Sequence, residues 1–208
     1  MKIIYSICGL YNSGGMERII TQKANYLADV FGYDVTIVTT DQKDRPIFFP
    51  LSKKVKHVDL GVNYGDGEHD DMNVFLKVLG KKLKTKKHYQ RLKQFLMAEH
   101  ADIVITTMNN DIDMMSKIHD GSKKVCEFHF SRQTKILEAP NAILRNIQKI
   151  RMLLWKKSFA KFDKFVVLTE EDKKAWGNLS NMVVIPNFVD EIPAYVSGKR
   201  DKRVICVG

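Results

Sequence analysis

Residues 2–20 read KIIYSICGLYNSGGMERII, and the order of textures in this stretch decides the fold. Lys2 to Cys8 is an apolar, strand-like run, a loop of small and polar residues follows, and a helical pattern begins at Met16. A strand that turns through glycines directly into a helix is the opening unit of an α/β sheet. Gly14-Gly15 admits two readings. In one, Ser13 or Asn12 caps the helix, Glu17 offsets its dipole and Arg18 pairs with a neighbour. In the other, the bare amides of the turn meet an anion, because glycine permits close approach and helix-start amides carry partial positive charge. Arg18 sits in the first turn, where the dipole disfavours a cation, and a facing phosphate or carboxylate would account for it. The spacing is neither GxGxxG nor GxxxxGK[ST], so the dinucleotide and P-loop fingerprints are both missing.

Outward from this unit, strand-like and helical runs alternate almost throughout. The helix predicted from Met16 to Phe31 puts Ile20, Ala24, Leu27 and Phe31 on one face. Tyr33–Thr40 reads as a second strand, KVKHVDLG as a third, and a basic helix spans about Met72 to His100. ADIVITT, KKVCEFH, KFVVLT and NMVVIP supply four more strands. Between them lie a short helix at Asp111–His119, a long one at Asn141–Phe162 and a short one at EEDKKAW. The long one carries an apolar stripe of Ile143, Ile147, Ile150, Leu154 and Phe159. Near-continuous Val/Ile strands with intervening helices predict an α/β, Rossmann-like three-layer domain with a mostly parallel sheet of about seven strands. This domain is expected over residues 1–189. Residues 190–202, with Pro193 and Gly198, read as a linker. Residues 203–208 read as the first strand of a further domain, which makes the chain the first half of a longer protein.

The 208 residues carry a net charge of +10, and its placement matters more than its size. Lys77 to Lys93 holds eight Lys/Arg and no acid, and Arg145 to Lys164 is nearly as one-sided. Such faces attract nucleic acid, anionic lipid or acidic substrates, or are simply solvated. A basic nucleic-acid-binding protein is the alternative reading, but no RRM, KH, helix-turn-helix or zinc-finger signature accompanies the lysines. Another nucleotide-binding Rossmann-like protein is the second alternative, weakened by the missing fingerprint. Cys8, Cys126 and Cys206 are far apart and set in apolar runs, as expected of reduced, buried cysteines in a cytoplasmic protein. Neither a signal peptide nor a membrane-spanning helix is expected from the apolar runs present. HExxH, GxSxG and paired Cys/His spacing are all missing, so metal-hydrolase and serine-hydrolase readings have no support.

Ligands of an open parallel sheet bind outside the carboxyl ends of its strands. Gly9–Gly15 follow the first strand, Asn109 the fourth, His129 and Arg132 the fifth, Thr169 and Glu170 the sixth, and Asn187 the seventh. His129 can exchange a proton or bond a sugar hydroxyl, or it can be structural. Arg132 can neutralise an anionic ligand or pair with Glu127. Thr169 with Asp172 reads most simply as a helix cap, and Asn187 after Pro186 as a turn into the linker.

Taken in order, GGMERIITQKANYLADVFGYDVTIVTT, CEFHFS, KFVVLTEEDKKAW, VVIPNFVD and RVICVG resemble the N-terminal half of family 4 retaining glycosyltransferases of the GT-B fold. The resemblance covers essentially the whole chain. It implies transfer of a sugar from a nucleotide-sugar donor to a glycan or lipid-linked acceptor in cell-surface polysaccharide synthesis. It places Gly14, Gly15, Glu17 and Arg18 at the donor-phosphate loop and His129 at the reacting sugar as the catalytic histidine. Asn109, Arg132, Thr169, Glu170 and Asn187 become cleft contacts. No metal or other cofactor is implied; DID at Asp111–Asp113 has the letters of a metal motif but stands in a sequence of GT-B type. The second half would supply most donor contacts, so residues 1–208 are expected to be inactive alone. Lys81, Lys82, Lys86 and Lys87, with Arg151, Lys156 and Lys157, become candidates for contact with an anionic inner membrane surface.

Overall fold

The computed structural model describes residues 1–65, 74–137, 139–177 and 179–189. The expected linker and final strand, Cys206, and the start of the basic helix at Met72 lie outside the described residues. Seven strands run β1 (Lys2–Ile7), β2 (Asp34–Thr39), β3 (Lys56–Asp59), β4 (Ile103–Thr106), β5 (Lys123–Phe128), β6 (Lys164–Val167) and β7 (Met182–Val184). Six helices run α1 (Gly15–Asp29), α2 (Val74–Glu99), α3 (Ile112–Met115), α4 (Arg132–Leu137), α5 (Ala142–Phe159) and α6 (Glu170–Trp176). The sheet order is β3-β2-β1-β4-β5-β6-β7 and every pair is parallel. The expected Rossmann-like α/β architecture is therefore present, with α4 as an element the periodicity had not indicated.

Strand side chains alternate between two cores. Ile4, Val38, Val104, Cys126, Phe128, Phe165 and Val167 point to one face, where Leu92 and Leu96 of α2, Met152 and Phe159 of α5 and Trp176 of α6 meet them. Phe159 stacks on Phe165 at 4.2 Å, with Trp176 edge-on to both. Ile3, Tyr5, Ile7, Val35, Ile37 and Ile105 point to the other face, against Ile20, Ala24 and Ala28 of α1. The asymmetry follows from handedness. A right-handed crossover from β1 to β2 puts α1 on one face. The crossovers that return from β3 and continue to β7 put their helices on the other. The strand order reverses between β1 and β4, so the switch-point crevice opens at their carboxyl ends.

Some sequence expectations need correction. Phe31 lies beyond the end of α1 and is exposed, so the buried face of that helix is Ile20-Ala24-Ala28. Cys8 is exposed, because β1 ends one residue earlier, whereas Cys126 is buried as expected. On α5 the core-facing residues are Met152 and Phe159. Most of the predicted stripe turns outward, with Ile143 at 74% and Ile147 at 52% exposure and Ile150 and Leu154 comparable.

Candidate active site

The glycine turn lies at the carboxyl end of β1, and the structure bears on the capping half of its first reading. Gly14 is the N-cap residue of α1, in extended conformation, and no side chain caps the helix. Ser13 and Asn12 therefore do not act as caps. Asn12 instead donates Nδ2–H to Glu17 Oε1 at 3.4 Å. Gly14 at the cap position offers the first amides of α1 no side-chain acceptor of its own, an arrangement that favours an anion. Glu17 folds back over the turn so closely that a Cβ on Gly14 would lie 2.2 Å from its Oε2. Gly15 faces open space, with nothing within 4 Å of where a Cβ would sit. Arg18 is exposed on the same first turn.

A loop after β2 forms the adjoining wall, and sequence reasoning missed it. Gln42 Oε1 accepts from the amide of Leu10 at 2.7 Å, while its Nε2 donates to the Arg45 carbonyl at 2.8 Å. The Arg45 guanidinium lies 3.2 Å above the centre of the Tyr11 ring and donates to the Asp41 carbonyl. Tyr11 in turn packs on Gly9, where a Cβ would come 2.4 Å from the ring, so glycine is required there. Gly9 directly after a strand was the available signal; the segment from Asp41 to Phe48 has no periodicity to betray it.

At the switch point the floor is polar but sealed. Asp111 is fully buried and accepts from Ser6 Oγ at 2.7 Å and from Thr106 Oγ1. Burial pushes its carboxyl up to about 6 despite the hydroxyl donors. Asn109 is also buried, accepting from Thr40 Oγ1 at 3.2 Å, with its Nδ2 unpartnered. Met108, just before Asn109, has φ of 68°, a left-handed conformation that costs a bulky residue on the order of 1 kcal/mol. Asp113 accepts from Ser158 at 2.5 Å, so both acids of DID serve the fold. Among the described residues no group of three His, Cys, Asp or Glu is placed to hold a metal ion.

His129 is the first residue beyond β5. Its Nε2 lies 3.0 Å from Glu127 Oε2, and its side chain is only 4% exposed. Lys23 of α1 donates to both Glu127 oxygens, at 3.1 and 2.9 Å. Burial alone would raise the Glu127 carboxyl; the His129 hydrogen bond and the Lys23 charge outweigh it and hold it below the usual range. The ring's other nitrogen, Nδ1, is buried without a partner. The glycine-turn helix and the histidine are thus joined, since Lys23 stands about 12 Å along α1 from Gly15. Glu127 and Lys23 were not singled out in the sequence as a pair, being 104 residues apart.

Arg132 does not pair with Glu127. Its backbone amide donates to Asp172 Oδ1 at 3.2 Å, its guanidinium donates to the Ala175 carbonyl at 2.5 Å, and it lies over the Trp176 ring. It fastens α4 to α6. Thr169 caps α6, accepting from the Asp172 amide at 3.1 Å, as expected. Glu170 is exposed at the carboxyl end of β6, and Asn187 is exposed on the segment leaving β7.

The basic residues divide into two groups. Lys87 donates to the Gly61 carbonyl at 2.6 Å, beside Lys84 on the Tyr64 carbonyl and Arg91 on Leu60 and Gly61. That row of α2 ties down the loop after β3. Lys81, Lys82 and Lys86 remain exposed. On α5, Arg151 stacks on Trp155 at 4.5 Å, and Lys156 and Lys157 follow in the last turn. No described helix is long and apolar enough to cross a membrane.

The Rossmann-like parallel sheet with its flanking helices is similar in fold to solved glycosyltransferases of the GT-B class. Sucrose-phosphate synthase from Thermosynechococcus elongatus superposes with a TM-score of 0.65 at 14% identity, over 89% of this chain and 47% of that one. The apo lipopolysaccharide outer core galactosyltransferase WaaB superposes with 0.61 at 18% identity, over 97% and 50%. TcCGT1, solved in complex with UDP, gives 0.57 at 12% identity, over 93% and 53%. The chain thus spans about half the length of these structures. No curated protein sequence matches it. The family model for Glycosyltransferase Family 4 matches residues 13–191, and the chain belongs to that family.

Proposed function

We propose that this chain forms the acceptor-side half of a retaining glycosyltransferase. It would move a hexosyl group from a nucleotide-sugar donor to a glycan or lipid-linked acceptor in cell-surface polysaccharide synthesis. The observation that carries the reading is the uncapped start of α1 at Gly14-Gly15, with open space at Gly15 and His129 held at the neighbouring strand end. Negative charge develops on the leaving nucleotide phosphate in such a transfer, and fixed amide dipoles stabilise it without reorganising. The complex of TcCGT1 with UDP supports a nucleoside diphosphate as the leaving group. The amides suffice for charge stabilisation on this side, so the reaction is expected to run without a resident metal or cofactor. Residues 1–208 on their own are expected to transfer no sugar, because the relatives are about twice as long.

In this reading the protein works in the cytoplasm, peripherally on the anionic inner face of the plasma membrane. α5 supports this: Ile143, Ile147, Ile150 and Leu154 are exposed on a helix whose charged residues are all basic. Apolar insertion combined with lysine or arginine contacts, each on the order of 1 kcal/mol, gives reversible attachment. The test of the reading is release of nucleoside diphosphate from a panel of nucleotide sugars by the full-length protein, with membrane-extracted lipids and free glycans as acceptors. Release that rises with one donor and acceptor pair supports the proposal, and no release across the panel contradicts it.

A further inference from the structure

We propose that Glu127 is a positioning residue for His129, fixing the imidazole as its Nε2–H tautomer so that Nδ1 presents a lone pair, with Lys23 keeping the carboxylate ionised and in place. The inference rests on His129 being an active-site group. For a neutral ring the geometry points to one assignment. An ionised carboxylate only accepts, so the His129 nitrogen 3.0 Å from Glu127 Oε2 must carry a proton. A neutral ring then has its lone pair on Nδ1, the nitrogen that is buried and has no partner. A buried acceptor without a donor is costly, so the free Nδ1 calls for a donor that the described residues do not supply. Its chemical complement is a hydroxyl donor, as a sugar carries many of. Lys23 holds both carboxylate oxygens, so the side chain of Glu127 cannot turn away. The cation also opposes burial, which by itself raises the Glu127 carboxyl. A carboxylate behind a histidine orients the ring and selects its tautomer in this way wherever one nitrogen must stay free.

The test uses the full-length protein with 15N-labelled histidine. Long-range 1H–15N correlation reads the His129 tautomer directly, and steady-state kinetics on the active donor read its consequence. The double variant Lys23→Met/Glu127→Leu removes the carboxylate without stranding a buried cation. Glu127→Gln retains an acceptor oxygen. Expected results are a single Nε2–H form in wild type, a mixed population in the double variant, and substantial restoration in Glu127→Gln. In parallel, kcat should fall by about 10- to 100-fold in the double variant with donor KM within about threefold, and Glu127→Gln should recover most of it. An identical tautomer in wild type and double variant overturns the proposal, as does an unchanged kcat once the tautomer has changed. A wild-type protein that turns over no donor strikes the functional reading, and the tautomer measurement then decides the positioning claim by itself.

Discussion

Lys23 and Glu127, 104 residues apart in the chain, form a two-oxygen ion pair at 3.1 and 2.9 Å that locks α1 against the end of β5. The glycine turn at the start of α1 and the histidine just past β5 therefore hold a fixed relation before any ligand binds. Catalytic groups need such pre-set geometry, since small misplacements cost large factors in rate.

Lys23→Met should destabilise the protein by about 1–3 kcal/mol at pH 7, the range for a charge-assisted hydrogen-bonded pair that is largely buried. Glu127 is held below its ordinary value of 4.5. Its contribution is therefore fully present above that value and is lost as pH falls through the lower folded one. Urea unfolding at a series of pH values should show the difference between wild type and variant shrinking below about pH 4.

The two glycines of the turn should separate stability from binding. Gly15→Ala enters open space at the first helical position, so its stability should stay within about 0.5 kcal/mol of wild type. A methyl group there occupies the approach of a phosphate, and calorimetric affinity of the full-length protein for UDP should drop at least tenfold. Gly14→Ala meets only the end of the flexible Glu17 side chain. A small stability change with a displaced Glu17 is expected, visible as a modest affinity loss. Equal affinity in all three proteins would remove the anion site from α1.

On α5, Ile147→Asn with Ile150→Asn should leave stability within about 0.5 kcal/mol, because neither side chain enters the core. Co-flotation with vesicles containing anionic phospholipid should fall sharply, while neutral vesicles bind neither protein. Unaltered flotation would move membrane contact elsewhere.

Two buried groups set opposing pH slopes. His88 is buried and its imidazolium disfavoured, pushing its value down to about 4 although Asp41 opposes the shift. The unfolded chain then binds more protons between about pH 4 and 6.5, and stability falls as pH drops through that window. Asp111 is raised to about 6, so the folded chain binds more protons above about pH 4, and stability falls as pH rises from there to 6. His88→Gln should flatten the first slope and Asp111→Asn the second, each read from thermal midpoints across pH 4–7.

The strands and most helices were legible because buried parallel strands need contiguous Val and Ile, and α1 needs Ile20-Ala24-Ala28 on one side. What periodicity cannot give is the surroundings of a face. It assigned Ile143, Ile147, Ile150, Leu154 and Phe159 to one stripe of α5, yet of these only Phe159 enters the core, together with Met152. Long-range partners were equally hidden. Arg132, five residues from Glu127 in sequence, is drawn to α6, and Lys23 takes its place. The glycine turn was visible in the sequence, but that no side chain caps the helix at Gly14 was not. The wall formed by Gln42 and Arg45 was invisible because a loop's register is set by contacts rather than by pattern.

The most direct test of the central claim is donor turnover by the full-length protein carrying His129→Ala, measured beside wild type at matched folding. Nucleoside diphosphate release is expected to fall by at least a hundredfold while the thermal midpoint and the affinity for the nucleoside diphosphate stay close to wild type. Turnover within a fewfold of wild type would contradict it, and would return His129 to a purely structural place beside Glu127.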